Sequence, residues 1–398
     1  MSVLKEVLFS DSMSFDAFGR LRTSGITTEI DLKQVHDGLP LFIDTELIGS
    51  GNRVWNSEEA SSTLSTTNAG DAAVCQTFQR FNYQTGKSQQ ILMTYERFAP
   101  QAGIIKRIGY FSSSSTSPFS AGLDGIFLES TEDGVFACIC KNGTYIKRDL
   151  VPPVIRRFER SAIPINWNNS NILEIDFEWL GVGRTRFALI IDGLGYVISE
   201  HLHANNYEKI YMTNPNQNLR WEIRQTGATP GSFNFICSTV GSEGGINEIG
   251  KVLAIDDDLV SLSASSIGTS YTAMSIRLKA GAQGSFVDIL NFVLFGSSND
   301  SFLWRMVLNP TITGTLSFVD SPNSSIQYAL GDGSQTSSGG IKIDSGYIEA
   351  GKSLTISSKN AIRLGKKING VSDIVSIIVK PITSNLSVYR AMKWREQI

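Results

Sequence analysis

Between residues 172 and 187 the chain reads ILEIDFEWLGVGRTRF, and apolar and polar side chains alternate one by one. Leu173, Ile175, Phe177 and Trp179 fall on one side, and Glu174, Asp176 and Glu178 on the other. Successive side chains leave a strand on opposite faces, so this spacing predicts a half-buried β-strand with an apolar core face and a solvated acidic face. Leu180-Gly181-Val182-Gly183 supplies a bend, and residues 184–191 resume as a second strand. Similar short runs occupy residues 72–83, 90–98, 104–111, 125–130, 134–140, 196–201, 218–225 and 232–238. Asn142-Gly143 and Asp192-Gly193 mark tight turns between such runs, and Asn-Gly is the strongest two-residue hairpin signal.

A glycine-rich junction at residues 241–250, GSEGGINEIG, separates these runs from a second series at 270–279, 285–295, 302–308, 313–319, 341–348, 353–356 and 374–379. Short strands at regular spacing with turn residues between them predict a second β-sandwich. No helical pattern of about 15 residues recurs, which excludes parallel βαβ architectures. Residues 1–40 lack sustained periodicity and read as an N-terminal arm, lying across its own domain or a neighbouring subunit.

Composition narrows the function classes. With 398 residues, 41% apolar and 18% charged, the chain is globular and large enough for two domains. Its net charge of -3 gives no electrostatic footprint for nucleic acid. No apolar run approaches the roughly 20 residues of a membrane helix, and the N-terminus lacks the pattern of a signal peptide. The four cysteines are Cys75, Cys138, Cys140 and Cys237. Cys138 and Cys140 share a strand face with Phe136 and read as buried thiols, since no second Cys/His pair completes a zinc site. Folding in a reducing cytosol is expected.

Several constellations invite chemistry. Residues 346–353, GYIEAGKS, match the spacing of a phosphate-binding loop, but the strand-like LTISS that follows is not the helix such a loop opens. A turn between antiparallel strands is expected there, with Lys352 on it. Residues 86–88 and Gly181-Val182-Gly183 lack the further glycines and the helix of a nucleotide site. Asp256-Asp257-Asp258 reads as a solvated loop. His201 and His203 share a strand face and could hold a metal; with no third ligand visible, hydrogen-bonded structural histidines are expected. No cofactor and no metal are expected.

Glu174-Ile175-Asp176-Phe177-Glu178, with Trp179-Leu180-Gly181 behind it, resembles the E-x-D-x-E strand of retaining glycosidases on concanavalin-like jelly rolls, the β-glucanase and xyloglucan-modifying enzymes. That resemblance implies Glu174 as nucleophile, Glu178 as acid/base and Asp176 as the modulator between them. It covers this strand only, and acids alternating outward are common on solvent-facing strands.

A broader set of phrases runs in order from Phe15 to Ile223: FDAFGRLRTS at 15–24, NYQTGKSQ at 82–89 followed by ILMT, KRIGYF at 106–111, DGIFLE at 124–129, IDFEWLGVGR at 175–184, HANN at 203–206, Tyr211-Met212, Asn214-Pro215-Asn216, and LRWEI at 219–223. Together they resemble a family of virion structural proteins found in tailed bacteriophages, many of them marine, and in some large DNA viruses. The resemblance implies a virion component made in the host cytoplasm, with no catalytic residue to carry over. It also implies an assembly arm in which Phe15, Phe18, Arg20 and Arg22 dock on a neighbouring subunit or the virion body. The expectation is therefore an all-β chain: an arm at 1–40, a concanavalin-like jelly roll at 41–242 and a second β-sandwich at 243–398. It would be a non-enzymatic, outward-facing tail or head component that forms a homo-oligomer, with a trimer as the guess. Its partners would be other virion proteins and a host-surface glycan, with neither nucleic acid nor membrane insertion. The alternatives are a jelly-roll glycoside hydrolase using Glu174 and Glu178, and a capsid decoration protein.

Overall fold

The computed structural model describes residue 21 and residues 25–113, 122–157, 160–179, 183–247, 249–282, 284–296, 300–383 and 385–397. Among these residues there is no helix, and the chain divides into two compact units, Met1–Asn247 and Glu248–Ile398. The division falls inside the glycine-rich junction.

In the first unit, one sheet runs in the order β15 (Leu194–Leu202), β14 (Arg184–Ile191), β13 (Asn171–Phe177), β6 (Gln89–Glu96), β17 (Gly231–Glu243), β4 (Ser61–Thr66) and β3 (Asn52–Asn56), and β1 (Ile26–Lys33) also pairs with β17. The other sheet runs β10 (Thr144–Leu150), β9 (Gly134–Lys141), β8 (Leu123–Thr131), β7 (Ile104–Ser113), β16 (Leu219–Gln225), β5 (Ala72–Thr77) and β2 (Ile43–Ile48). A small hairpin, β11 (Val154–Arg157) with β12 (Arg160–Pro164), stands apart. All pairings are antiparallel, and the unit is the expected concanavalin-like jelly roll.

Its core forms where the inward rows of both sheets meet. Leu173, Ile175 and Phe177 of β13 are fully buried there. Phe177 lies 5.5 Å, ring to ring, from Tyr110 of the opposing sheet and stacks on Tyr83 at 5.6 Å. Asn142 and Gly143 have φ of 45° and 84°, and Asp192 and Gly193 φ of 52° and 77°, as two-residue hairpin turns between twisted strands require. The structure shortens the expected arm. Residues 26–33 form β1, paired along β17, and Leu32 enters the core.

The second unit is also a sandwich. One sheet orders β18 (Lys251–Asp256), β30 (Leu386–Gln397), β21 (Phe286–Gly296) and β28 (Ser353–Arg363), with β19 (Leu262–Ala264) on β30. The other orders β23 (Thr311–Thr313), β26 (Thr336–Ser338), β20 (Tyr271–Leu278), β29 (Ile374–Pro381), β22 (Phe302–Leu308) and β27 (Ile341–Ile348), with β24 (Val319–Asp320) and β25 (Ile326–Leu330) extending from β20. Phe292 of the first sheet meets Trp304 of the second edge to face at 5.2 Å, and Trp394 is fully buried beside them. The strand expected at 313–319 is not continuous. Gly314, at φ 93°, turns the chain between β23 and β24.

Candidate functional site

The acidic row of β13 is held between β6 and β14. Glu174 stands opposite Leu92 and Ala188, and Asp176 opposite Gln90 and Arg186. Since the odd-numbered residues fill the core, Glu174 and Asp176 leave by the outer face of the sheet. The sequence predicts water on that face, and the structure corrects the prediction: Glu174 is 2% exposed, and Asp176 and Glu178 are 0%. The register supplies the reason. Arg186, itself fully buried, lies directly across from Asp176, with Nη2 3.2 Å from Oδ1 and Nε donating to the same oxygen at 3.3 Å. Ser88 Oγ donates to Asp176 Oδ2 at 3.3 Å, and Gln90 Nε2 donates to Glu174. Ion pairing and hydrogen bonds of this kind offset the cost of taking carboxylates out of water.

Glu178 follows the last residue of β13. Tyr83 Oη donates to its carboxylate at 3.5 Å, Tyr211 Oη donates to its backbone carbonyl at 2.6 Å, and its own N–H donates to the Arg184 carbonyl at 3.3 Å. Burial, reinforced by this carboxylate, pushes the Tyr83 phenol upward. The Glu178 side chain lies against Gly183, where an added Cβ would fall 1.8 Å from Oε2. A retaining glycosidase needs two carboxyl groups about 5–5.5 Å apart across a space open to the sugar. Here each carboxylate is enclosed and engaged, and the row ties β6, β13 and β14 together.

The outer face of the second sheet carries a larger charged cluster that sequence reasoning missed. Arg107 on β7 stands opposite Glu129 on β8 and Glu222 on β16. Its Nε donates to Glu129 and its Nη1 to Glu222, each at 2.7 Å. Glu129 also accepts from Arg148 at 3.0 Å and Tyr145 at 2.8 Å. Glu222 also accepts from Arg220 at 2.9 Å, and Arg220 passes on to Gln76 at 2.7 Å. Burial alone would lower the Arg107 pKa, but Glu222 and Glu129 outweigh it and hold the guanidinium charged. Burial likewise works against Glu129, whose carboxyl Arg107 keeps below the usual range. Beside this chain of charges lies an apolar patch of Phe111, Leu123, Phe127, Phe136, Cys138 and Cys140, with Arg148 stacked 3.5 Å from the Phe136 ring. The sequence signal was present: KRIGYF, FLES and LRWEI each place charge in the outward row of an apolar strand.

The remaining candidates separate. His201 and His203 lie 4.1 Å apart, ring to ring, and His203 stacks on Tyr211 at 3.8 Å. They are less hydrogen-bonded than expected. Thr185 Oγ1 is 3.4 Å from His203 Nε2, while among the described residues His201 Nε2 and His203 Nδ1 have no hydrogen-bond partner. Burial lowers their pKa values to about 4 and about 3. Cys75, Cys138 and Cys140 are buried free thiols, and Cys237 is an exposed one. Asp257 is buried rather than solvated and accepts the Arg390 N–H at 2.9 Å. The GYIEAGKS turn joins β27 to β28, which belong to different sheets and do not pair with each other as expected; a strand, not a helix, follows it. Among the described residues no group of three or more His, Cys, Asp or Glu could hold a metal ion. Phe15, Phe18, Arg20 and Arg22 lie outside the described residues.

No family model matches the chain, and no curated protein sequence matches it. Solved structures do resemble it. The carbohydrate recognition domain of Emp47p is similar at 10% identity over 55% of this chain and 97% of that one, with a TM-score of 0.38. A protein of unknown function from Shewanella oneidensis MR-1 is similar at 11% identity over 57% of this chain and 93% of that one, with a TM-score of 0.37. The Bacillus licheniformis β-glucanase is similar at 11% identity over 55% of this chain and 98% of that one, with a TM-score of 0.35. These likenesses concern the fold and nothing further.

Proposed function

We propose that this chain is a non-enzymatic structural protein of a bacteriophage virion, an outward-facing tail or head component that assembles with copies of itself and with other virion proteins. One observation carries the reading. Among the described residues, the phrases by which the sequence resembles virion structural proteins serve internal contacts, not an open reactive cluster. In IDFEWLGVGR, Asp176 pairs with Arg186, Glu178 packs on Gly183, and Trp179 Nε1 donates to the Met212 carbonyl at 2.9 Å. In the Asn-Pro-Asn phrase, Asn216 Oδ1 accepts the Tyr83 N–H at 2.9 Å. In LRWEI, Arg220 and Glu222 belong to the buried ionic chain. Such residues specify a rigid framework.

Two surface features support assembly and attachment. Leu47 on β2 and Val54 on β3 are about half exposed on the edge strands of the two sheets of the first unit, where a second chain could cover them. A cleft of about 610 Å³ is lined by the half-exposed Tyr207 with Asn142, Thr144, Asn206 and the charged Lys141, Glu208 and Lys209, an aromatic face among polar and charged groups that suits contact with a host-surface glycan. The test against catalysis is incubation of the wild type and Glu174→Gln with β-glucans and capsular polysaccharide. The proposal expects no new reducing ends from either protein. Hydrolysis by the wild type that vanishes in Glu174→Gln would overturn it.

A further inference from the structure

Lys106 occupies a position that strand geometry reserves for the core. It lies between Ile104 and Ile108 in the inward row of β7, and all three are buried. Lysine at such a position is costly unless its charge is answered. The ammonium donates to two backbone carbonyls, Arg97 at 2.7 Å and Ala99 at 3.3 Å, and among the described residues no carboxylate pairs with it. A lysine ammonium has three donors, so one remains. Burial without a neighbouring anion brings the Lys106 pKa down to about 8.

The surroundings share one character. Lys106 lines a pocket of about 340 Å³ together with Arg97, Asn168 and Ser232, and no acidic residue lines it. The Arg97 guanidinium, the Asn168 side-chain amide and the Ser232 hydroxyl have no hydrogen-bond partner among the described residues. The nearest acid along the chain, Glu96, is engaged by Ser170 and Asn234. Arg97 is held at φ 57°, a left-handed conformation unusual for a side chain of its size. Its N–H donates to Asn168 O at 3.3 Å, which fixes the turn that presents its carbonyl to Lys106. A buried cation, the exposed Arg97 and Asn168 and the half-buried Ser232 line one cavity with no acidic residue in its wall.

We propose that this pocket binds an oxyanion group, a carboxylate, sulfate or phosphate, as a free ion or on a small acidic saccharide. The Lys106 ammonium supplies the buried charge at its base, and Arg97 supplies a planar two-pronged donor at its mouth, a geometry that matches oxyanions. Asn168 and Ser232 add neutral hydrogen bonds. The site is independent of the acidic row and of the virion reading.

The test is calorimetric titration of the whole chain with sodium sulfate, phosphate, acetate and glucuronate, each against sodium chloride at matched ionic strength. The proposal expects saturable binding of at least one of the four, weakened at least tenfold in Arg97→Gln and in Lys106→Met. Arg97 is exposed, so Arg97→Gln folds even if the Lys106 variant does not. Preference for glucuronate over acetate would identify a saccharide-borne carboxylate, and preference for sulfate or phosphate a tetrahedral group. Lys33→Gln, which removes an exposed cation elsewhere on the same unit, should bind as the wild type does. No saturable binding of any of the four, unchanged affinity in Arg97→Gln, or an equal loss in Lys33→Gln would each overturn the proposal.

Discussion

Arg107→Met is the sharpest perturbation of the framework. The substitution keeps most of the apolar stem and removes the guanidinium that bridges Glu129 and Glu222 at 2.7 Å each. Glu129 retains Arg148 and Tyr145, and Glu222 retains Arg220, so neither carboxylate is abandoned. What disappears is two hydrogen bonds to charged groups, worth about 1.5–3 kcal/mol each, and the cation that screens the two buried acids from one another. The expected loss is roughly 3–6 kcal/mol of the first unit's stability, in the range for breaking a buried ionic cluster. For a unit of this size that is a fall in melting temperature of roughly 6–24 °C. Arg107→Lys should fall between the two, because a point ammonium cannot meet two carboxylates from two separate nitrogens. The assay is urea unfolding combined with hydrogen exchange resolved to β7, β8 and β16, so that the first unit is read by itself. A loss below about 1 kcal/mol for Arg107→Met would refute the view that this chain of charges holds the sheet.

Three further outcomes follow from the same geometry. His201 and His203 are held neutral in the fold, with pKa values of about 4 and about 3 against an ordinary 6.5. Below pH 6.5 the unfolded chain therefore takes up protons first, and stability falls as pH drops toward 4, by up to about 1.4 kcal/mol per pH unit for each ring. Thermal melts between pH 7.5 and 4.5 should show this slope, and the double variant His201→Gln/His203→Gln should flatten it; equal slopes would contradict the assignment. Gly183→Ala drives a methyl group into the Glu178 carboxylate and should cost about 1–3 kcal/mol, read as a lower melting temperature; a neutral result would mean that the bend has room to move. In the native protein a thiol reagent should label Cys237 first and spare Cys75, Cys138 and Cys140 until unfolding; early modification of Cys138 would contradict its burial.

Much of the fold can be read from local pattern. Alternation at 172–177 marks β13, and the Asn-Gly and Asp-Gly pairs fix two hairpins because few other residues tolerate those φ values. The covering of the outer faces cannot be read this way. A period of two says which side chains share a face, not whether that face meets water. Arg107 finds Glu129 and Glu222 only through a register that brings together residues 22 and 115 positions apart. The same limit hides Asp176–Arg186, where three outward acids look like a solvated row until the neighbouring strand is aligned. β1 escapes notice because Leu32 is its one fully buried apolar residue. Lys106 escapes for the opposite reason, since a lysine in an inward row interrupts the very pattern that would locate it.

The central claim, that this chain is built into virus particles and does not work as a free enzyme, is tested most directly by quantitative mass spectrometry of purified virions. The account predicts the intact chain in the particles at a fixed copy number relative to the major capsid protein, retained through density-gradient purification. Its absence from particles, with the chain recovered only in the soluble lysate, would contradict the account.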